Sequence, residues 1–235
     1  MIKSILFDSG RVLNRPLTGH WFISPNFFKY VNKEKFLSIE KERINNAFSN
    51  AQKYLFNEKL IKNREEELIH FSNFYKLFSE NLPELQINNI EDLAKDMVYN
   101  RSKYVFYEDV KEVIPRLKNK YKMAVVSDAW PSLENVFIDA DMKKYFEIIV
   151  ISTQIGTLKP DPRMYETAIE RLQVNNSEAI FIDDNINNCL GAERLGIKSI
   201  LMNRENFNEN KEKNKTMLVV KDLYELEQML QSVKM

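Results

Sequence analysis

The chain has 235 residues, with 34 basic and 34 acidic side chains and a single cysteine. Zero net charge excludes the general electrostatic footprint of a nucleic-acid or membrane-surface binder. Lone Cys189 excludes an intramolecular disulfide framework and a cysteine-based zinc site. No apolar run approaches transmembrane length, and the chain opens directly on a strand with no signal peptide in view. The expectation is a cytoplasmic protein with no nucleic-acid or membrane partner. The length suits one large domain, or a core domain carrying an insertion.

The first element is the short apolar run Ile2 to Phe7, which stops on Asp8 and is broken by Ser9-Gly10. Such a run fits a buried parallel strand with a carboxylate at its carboxyl end. From Asn14 to about Tyr107 no good run of strand appears. Apolar residues instead recur at helical spacing, from Lys33 onward, from Glu65 to Phe78 and from Ile90 to Ala94. An α/β rhythm follows. A helix is predicted from Asp109, read as its cap, to Lys120. Then come strand Met123–Val126 ending in Ser127-Asp128, a helix around Ser132 to Ala140, and strand Ile148–Ile151. A helix from Asp161 to Leu172 is entered through Pro160-Asp161-Pro162. Strand Ala179–Ile182 ends in Asp183-Asp184, and helix Asn185–Leu195 is closed by Gly196. Strands Ser199–Met202 and Met217–Val220 flank a polar loop, and a final helix runs from Asp222 to Leu230. Alternation of this kind implies parallel strands joined by right-handed crossovers. The predicted fold is therefore α/β: a three-layer Rossmann-like parallel sheet core, residues 1–13 and 108–235, with an α-helical cap, residues 14–107.

In a parallel sheet all carboxyl ends lie on one edge, so Asp8, Ser127 and the Asp183/Asp184 pair are placed to converge. A further element is the turn Gly156-Thr157-Leu158-Lys159-Pro160-Asp161-Pro162. The order and spacing of these motifs resemble the haloacid dehalogenase-like hydrolase superfamily. Phe181-Ile182-Asp183-Asp184-Asn185, followed by Asn188, Gly191-Ala192 and Leu195-Gly196-Ile197, is similar to that family's last motif. The resemblance implies a phosphatase for a small phosphorylated metabolite, with sugar phosphates among the candidates. Asp8 would attack in line and form an aspartyl-phosphate. It implies Mg2+ held by Asp8, the Gly10 carbonyl, Asp184 and Asp183. Ser127 would donate to a phosphoryl oxygen, and Lys159 would neutralise Asp8 and the phosphoryl group. Ser9, Gly10 and Arg11 would face the substrate together with Ser127, Asp128 and Lys159, with Asp128 orienting the loop. His20 and His70 lack metal-ligand spacing, Cys189 reads as a packing residue, and Trp21, Phe22, Phe27 and Phe28 read as packing or as lining of the substrate entrance.

One position departs from the family pattern. Most phosphatases of the superfamily carry a second aspartate two residues after the nucleophile, as general acid and base; here that residue is Gly10. General acid catalysis contributes about two to four orders of magnitude. Three outcomes fit: a leaving group that needs no proton, such as an acyl or anomeric phosphate, a donor from the insert, or slow turnover. Two rivals follow. One is a 2-haloacid dehalogenase in which Asp8 attacks carbon without metal; the other is a non-catalytic relative that binds a ligand in the same cleft. The substrate and the oligomeric state are open at this level.

Overall fold

The computed structural model describes residues 1–58, 60–205 and 217–232. Six strands form one parallel sheet: β1 (Ser4–Phe7), β4 (Lys122–Ser127), β5 (Ile148–Ile151), β6 (Ala179–Asp183), β7 (Lys198–Met202) and β8 (Leu218–Val220). Their order is β5-β4-β1-β6-β7-β8. β1 is thus central, and strand order reverses beside it, the position at which open α/β sheets place ligands. Phe7 lies level with Val125 on one side and Ile182 on the other. One residue further on, Asp8 stands beside Asp183, its amide bonded to the Ile182 carbonyl at 2.8 Å.

Period-two alternation sorts the core. Ile5, Phe7, Met123, Val125, Ile180 and Ile182 point to one face, under helices α6 (Glu108–Lys118), α7 (Leu133–Asp139) and α11 (Leu223–Ser232). Leu6, Ala124, Val126 and Phe181 point to the other, under α9 (Pro162–Leu172) and α10 (Ile186–Arg194). Every residue of β1 and β6 is buried, which is why the strands read as continuous apolar runs. A one-turn helix, α8 (Ser152–Ile155), follows β5 and ends on Gly156 at φ +81°, a left-handed turn that favours glycine.

Between β1 and β4 lie α1 (Phe27–Tyr30), α2 (Lys33–Ser38), α3 (Lys41–Asn57), α4 (Arg64–Asn81) and α5 (Ile90–Tyr99). These helices have an aromatic core of their own: Phe48 and Phe78 stack at 4.3 Å, and Phe74 and Phe22 at 4.8 Å. No helix among the described residues is long and apolar enough to cross a membrane.

Three sequence expectations need correction. The stretch without a strand contains two: β2 (Asn14–Pro16) pairs antiparallel with β3 (Tyr104–Phe106), where the chain leaves and re-enters the α/β layers. Three residues are too few to show alternation, and only the partner some ninety positions away makes them strands. Asp109 does not cap α6. Tyr107 occupies that place, and buried Asp109 instead receives Arg204 at 2.9 and 3.1 Å and the Leu223 amide at 2.7 Å. The long helix α3 was foreseen only as an indefinite continuation from Lys33. The polar loop expected over 203–215 lies largely outside the described residues.

Candidate active site

The loop after β1 is folded by short backbone bonds. The amides of Leu13 and Asn14 both donate to the Ser9 carbonyl, at 2.8 and 3.0 Å, and Asn14 Nδ2 donates to Ser9 Oγ at 2.7 Å. Arg11 takes a left-handed conformation, φ +58°, to close this turn, and its amide donates to Asn14. A non-glycine residue there stores strain of the kind that gathers at functional loops. Gly10 is not left-handed, so no backbone requirement explains it. What explains it is space: a Cβ at Gly10 would stand 3.0 Å from Trp21 Cη2 and 3.9 Å from Asp8 Oδ2. The Trp21 ring fills the place a larger side chain would take.

Asp8 and Asp183 meet over one cation. Lys159 Nζ donates to Asp8 Oδ1 at 2.5 Å and to Asp183 Oδ2 at 2.7 Å, with the ammonium almost wholly buried. Its own backbone amide donates to Asp128 Oδ1 at 2.9 Å, so Asp128 positions the lysine turn. Asp183 is fully committed: Oδ1 accepts from the Asn185 amide at 2.7 Å, and Oδ2 also accepts from Asn188 Nδ2 at 3.1 Å. Asn185 additionally caps α10 by accepting the Asn187 amide. Asp184 pairs loosely with Arg11 at 3.3 Å. Carboxylate oxygens of Asp8, Asp183 and Asp184 lie within 4.8 Å of one another.

Crowding sets the electrostatics. Burial pushes Asp8 up, to about 7; Asp183 and Asp184 add to this and the Lys159 ammonium opposes it. Burial also raises Asp184 and Asp128, against Arg11 and Lys159 respectively. For Lys159, burial disfavours the charge, but Asp8, Asp183 and Asp128 outweigh it and hold the amine protonated. Four carboxylates and two cations line a cavity of about 320 Å³ whose other walls include Ser127, Trp21, Tyr104 and Trp130.

Residues 22–202 match the family model for haloacid dehalogenase-like hydrolases. The chain belongs to this family. The matched span begins after Asp8 and does not include the loop that follows β1. The chain is 27% identical over 127 residues, 52% of its length, to a glyceraldehyde 3-phosphate phosphatase of Methanopyrus kandleri, of which the match spans 54%. It is 28% identical over 145 residues, 59% of its length, to (S)-2-haloacid dehalogenase 4A of Burkholderia cepacia, of which 63% is spanned. The chain thus spans about half to three fifths of these curated relatives. A crystal structure of a phosphatase of this family from Thermococcus onnurineus superposes with a TM-score of 0.65 at 22% identity, covering 97% of this chain and 98% of that one.

Every residue singled out for the site borders the same cavity: Asp8, Ser9, Gly10, Arg11, Ser127, Asp128, Lys159, Asp183 and Asp184. The aromatics divide. Trp21 and Phe22 line the cavity, Phe27 is packed among the helices, and half-exposed Phe28 rests on Phe27 and Phe36. His70 bonds to Tyr54, His20 stacks on Phe48, and Cys189 is buried beneath β6 and β7. Sequence reasoning missed Asn14, Gln52, Phe56, Tyr104 and Trp130, all of which border the cavity. Only Trp130, two positions after Asp128, had a signal available.

Proposed function

We propose that the protein is a Mg2+-dependent phosphatase of a small phosphorylated metabolite, working through an aspartyl-phosphate on Asp8. The observation that supports this most is the division of the Asp8 carboxylate: Oδ1 is tied to Lys159 while Oδ2 looks toward Gly10 and the cavity. One oxygen is held and the other is presented, which suits in-line attack on phosphorus. Ser127 would donate to a phosphoryl oxygen, and Lys159 would offset the charge that arrives with the phosphoryl group.

The donor set fits a hard divalent cation. Asp8 and Asp184 would supply carboxylate oxygens with Asp183 beside them, the Gly10 carbonyl would add a neutral one, and the cavity carries two more negative side chains than positive ones. Bound Mg2+ would neutralise the phosphoryl oxygens as charge redistributes. Asp183 would act mainly by positioning, because Lys159, Asn185 and Asn188 already occupy its oxygens. The five helices between β1 and β4, residues 14–107 with their linking strands, would serve as a cap that excludes water and selects substrate. Sugar phosphates are among the candidates, since the curated relatives include phosphatases of glyceraldehyde 3-phosphate and of phosphorylated carbohydrates.

The test is phosphate release from a panel of phosphorylated metabolites with Mg2+ and with chelator, for the parent and Asp8→Asn. Loss of turnover in both chelator and Asp8→Asn is expected; turnover surviving in Asp8→Asn would refute the role of Asp8. A second reading, carbon–halogen hydrolysis, draws on the dehalogenase relative. Chelator-insensitive chloride release from a 2-haloacid would favour it.

A further inference from the structure

Two independent features of the cavity bear on the leaving group. The first is the closed place beside Gly10. The Trp21 ring stands 3.0 Å from where a Cβ would be, and its edge is locked against Tyr104 at a centroid distance of 5.2 Å. No histidine, cysteine or glutamate lines the cavity among the described residues. The remaining acids are engaged. Asp183 accepts three hydrogen bonds, Asp128 must accept from the Lys159 amide, Asp184 faces Arg11, and Lys159 is held as a cation between carboxylates. The Tyr104 phenol is made a weaker acid by burial. A departing alkoxide therefore finds no carboxyl beside Gly10, and no histidine, cysteine or glutamate on the wall of this cavity.

The second feature is apolar. Phe56 is 58% exposed at the end of α3, although it borders the cavity. With Ala129, Trp130 and Asp128 it also borders a second cavity of about 260 Å³, walled further by Leu55 and Leu158 and by Glu58, Ser152, Thr153 and Thr157. Trp130 is fixed edge-on to Phe71 at 5.3 Å, so the shared wall is rigid. The two cavities share Phe56, Asp128, Ala129 and Trp130 as lining residues. A preorganised aromatic wall of this kind binds an apolar planar body with little ordering cost.

We propose that the substrate is a phosphate monoester of a phenol-like, apolar planar alcohol, whose ring lies between Trp21 and Trp130 and extends past Phe56 into the second cavity. This rests on the phosphatase reading. Asp8 Oδ2 forms the bond to phosphorus as the phosphorus–oxygen bond of the ester breaks, and that electron pair leaves on the aryloxide. The aryloxide takes its proton from solvent after departure. Water then hydrolyses the aspartyl-phosphate, releasing inorganic phosphate and restoring the carboxylate. A phenol titrates near about 10, whereas an aliphatic alkoxide is about as basic as hydroxide, whose conjugate acid titrates near about 15.7. Only the former departs readily unassisted.

The experiment compares phenyl phosphate, cyclohexyl phosphate of similar size, and acetyl phosphate, which leaves easily but has no ring. With Mg2+ present, kcat/KM for cyclohexyl phosphate is expected to be at least about a hundredfold below that for phenyl phosphate, the usual contribution of a missing general acid. In Phe56→Ala, the ratio of kcat/KM for phenyl phosphate to that for acetyl phosphate falls at least tenfold. In Gly10→Asp/Trp21→Ala, where a carboxyl replaces the ring, the phenyl-to-cyclohexyl ratio narrows at least tenfold. Equal turnover of phenyl and cyclohexyl phosphate, or turnover of acetyl phosphate alone, would overturn the proposal and leave the phosphatase reading standing. No phosphate release from any of the three would overturn both.

Discussion

The seam between the helical layer and the sheet holds two buried opposite charges bridged by one hydroxyl, whose removal has a calculable effect. Glu67 of α4 is fully buried and accepts the Ser132 amide at 2.7 Å and the Ser132 hydroxyl at 2.5 Å. Lys103 Nζ donates to the same hydroxyl at 2.5 Å and to the Met97 carbonyl at 3.0 Å. Burial raises the Glu67 pKa against the pull of Lys103, and lowers that of Lys103 against the pull of Glu67. Desolvation thus outweighs attraction in both partners. Lys103→Met leaves the carboxylate without its nearby cation, and Glu67→Leu leaves the ammonium without a facing charge and two Ser132 donors without their acceptor. Each single change is expected to cost about 3–5 kcal/mol. The pair Glu67→Leu/Lys103→Met removes both charges together and is expected to lie within about 1 kcal/mol of the parent, or above it. A double-mutant cycle by urea denaturation checks this, read from midpoints at constant slope. The pH dependence carries a sign. A carboxylate raised in the folded state makes stability fall as pH rises above its ordinary value of 4.5 toward the folded one. A lysine lowered in the folded state makes stability fall as pH drops below its ordinary 10.5 toward the folded one. The double variant should lose both slopes. Additive effects, or single variants within about 1 kcal/mol of the parent, would refute the account of the seam.

Two further substitutions probe the supports of the site. A Cβ at Gly191 would lie 2.5 Å from Pro160 Cβ and 3.0 Å from the Tyr165 hydroxyl. Gly191→Ala is therefore expected to cost about 1–3 kcal/mol as overpacking, and, by shifting the residue next to Lys159, to lower kcat more than it raises KM; unchanged melting temperature and kinetics would contradict this. Arg204 grips Asp109 with two bonds and the Val12 carbonyl at 2.7 Å, and stacks 3.9 Å from the Tyr107 ring centroid. Arg204→Met strands a buried carboxylate and should cost about 3–5 kcal/mol, largely recovered by adding Asp109→Asn, with thermal unfolding as the measurement.

The layered sheet was legible because its strands are buried on both faces and each ends on a polar residue or turn. Ala179 to Ile182 and Ile148 to Ile151 show this in four letters each. Helix starts were legible at Asp161 and Asn185, whose side chains accept backbone amides of the first turn, and misplaced at Asp109, because Tyr107 begins the helix without a side-chain cap. Asp109 was misassigned because its partners are Arg204 and Leu223, about a hundred positions away, and no local pattern marks them. The same limit hid β2, β3 and the Glu67–Ser132–Lys103 cluster, all products of long-range pairing. Among site residues, those at strand ends were readable because parallel topology alone brings them to one edge. Gln52, Phe56 and Tyr104 come from the inserted helices and their linking strand, whose approach to that edge depends on packing rather than on register.

Gly10 shows how sequence and structure divide the work. From the sequence its meaning was a loss: no carboxyl two residues past Asp8. The structure adds what took the space, since Trp21 closes within van der Waals range of the missing Cβ. An indole there does not restore proton transfer, but it puts an aromatic ring on the Gly10 side of the cavity. The same ring that removes the donor also supplies an apolar wall, so a substrate that benefits from the wall is the one least harmed by the missing donor. Burying the Asp8 and Asp183 carboxylates against the single ammonium of Lys159 opposes folding. Such a balance is expected where a cleft awaits positive charge and an anion, because the folding cost is then offset on binding.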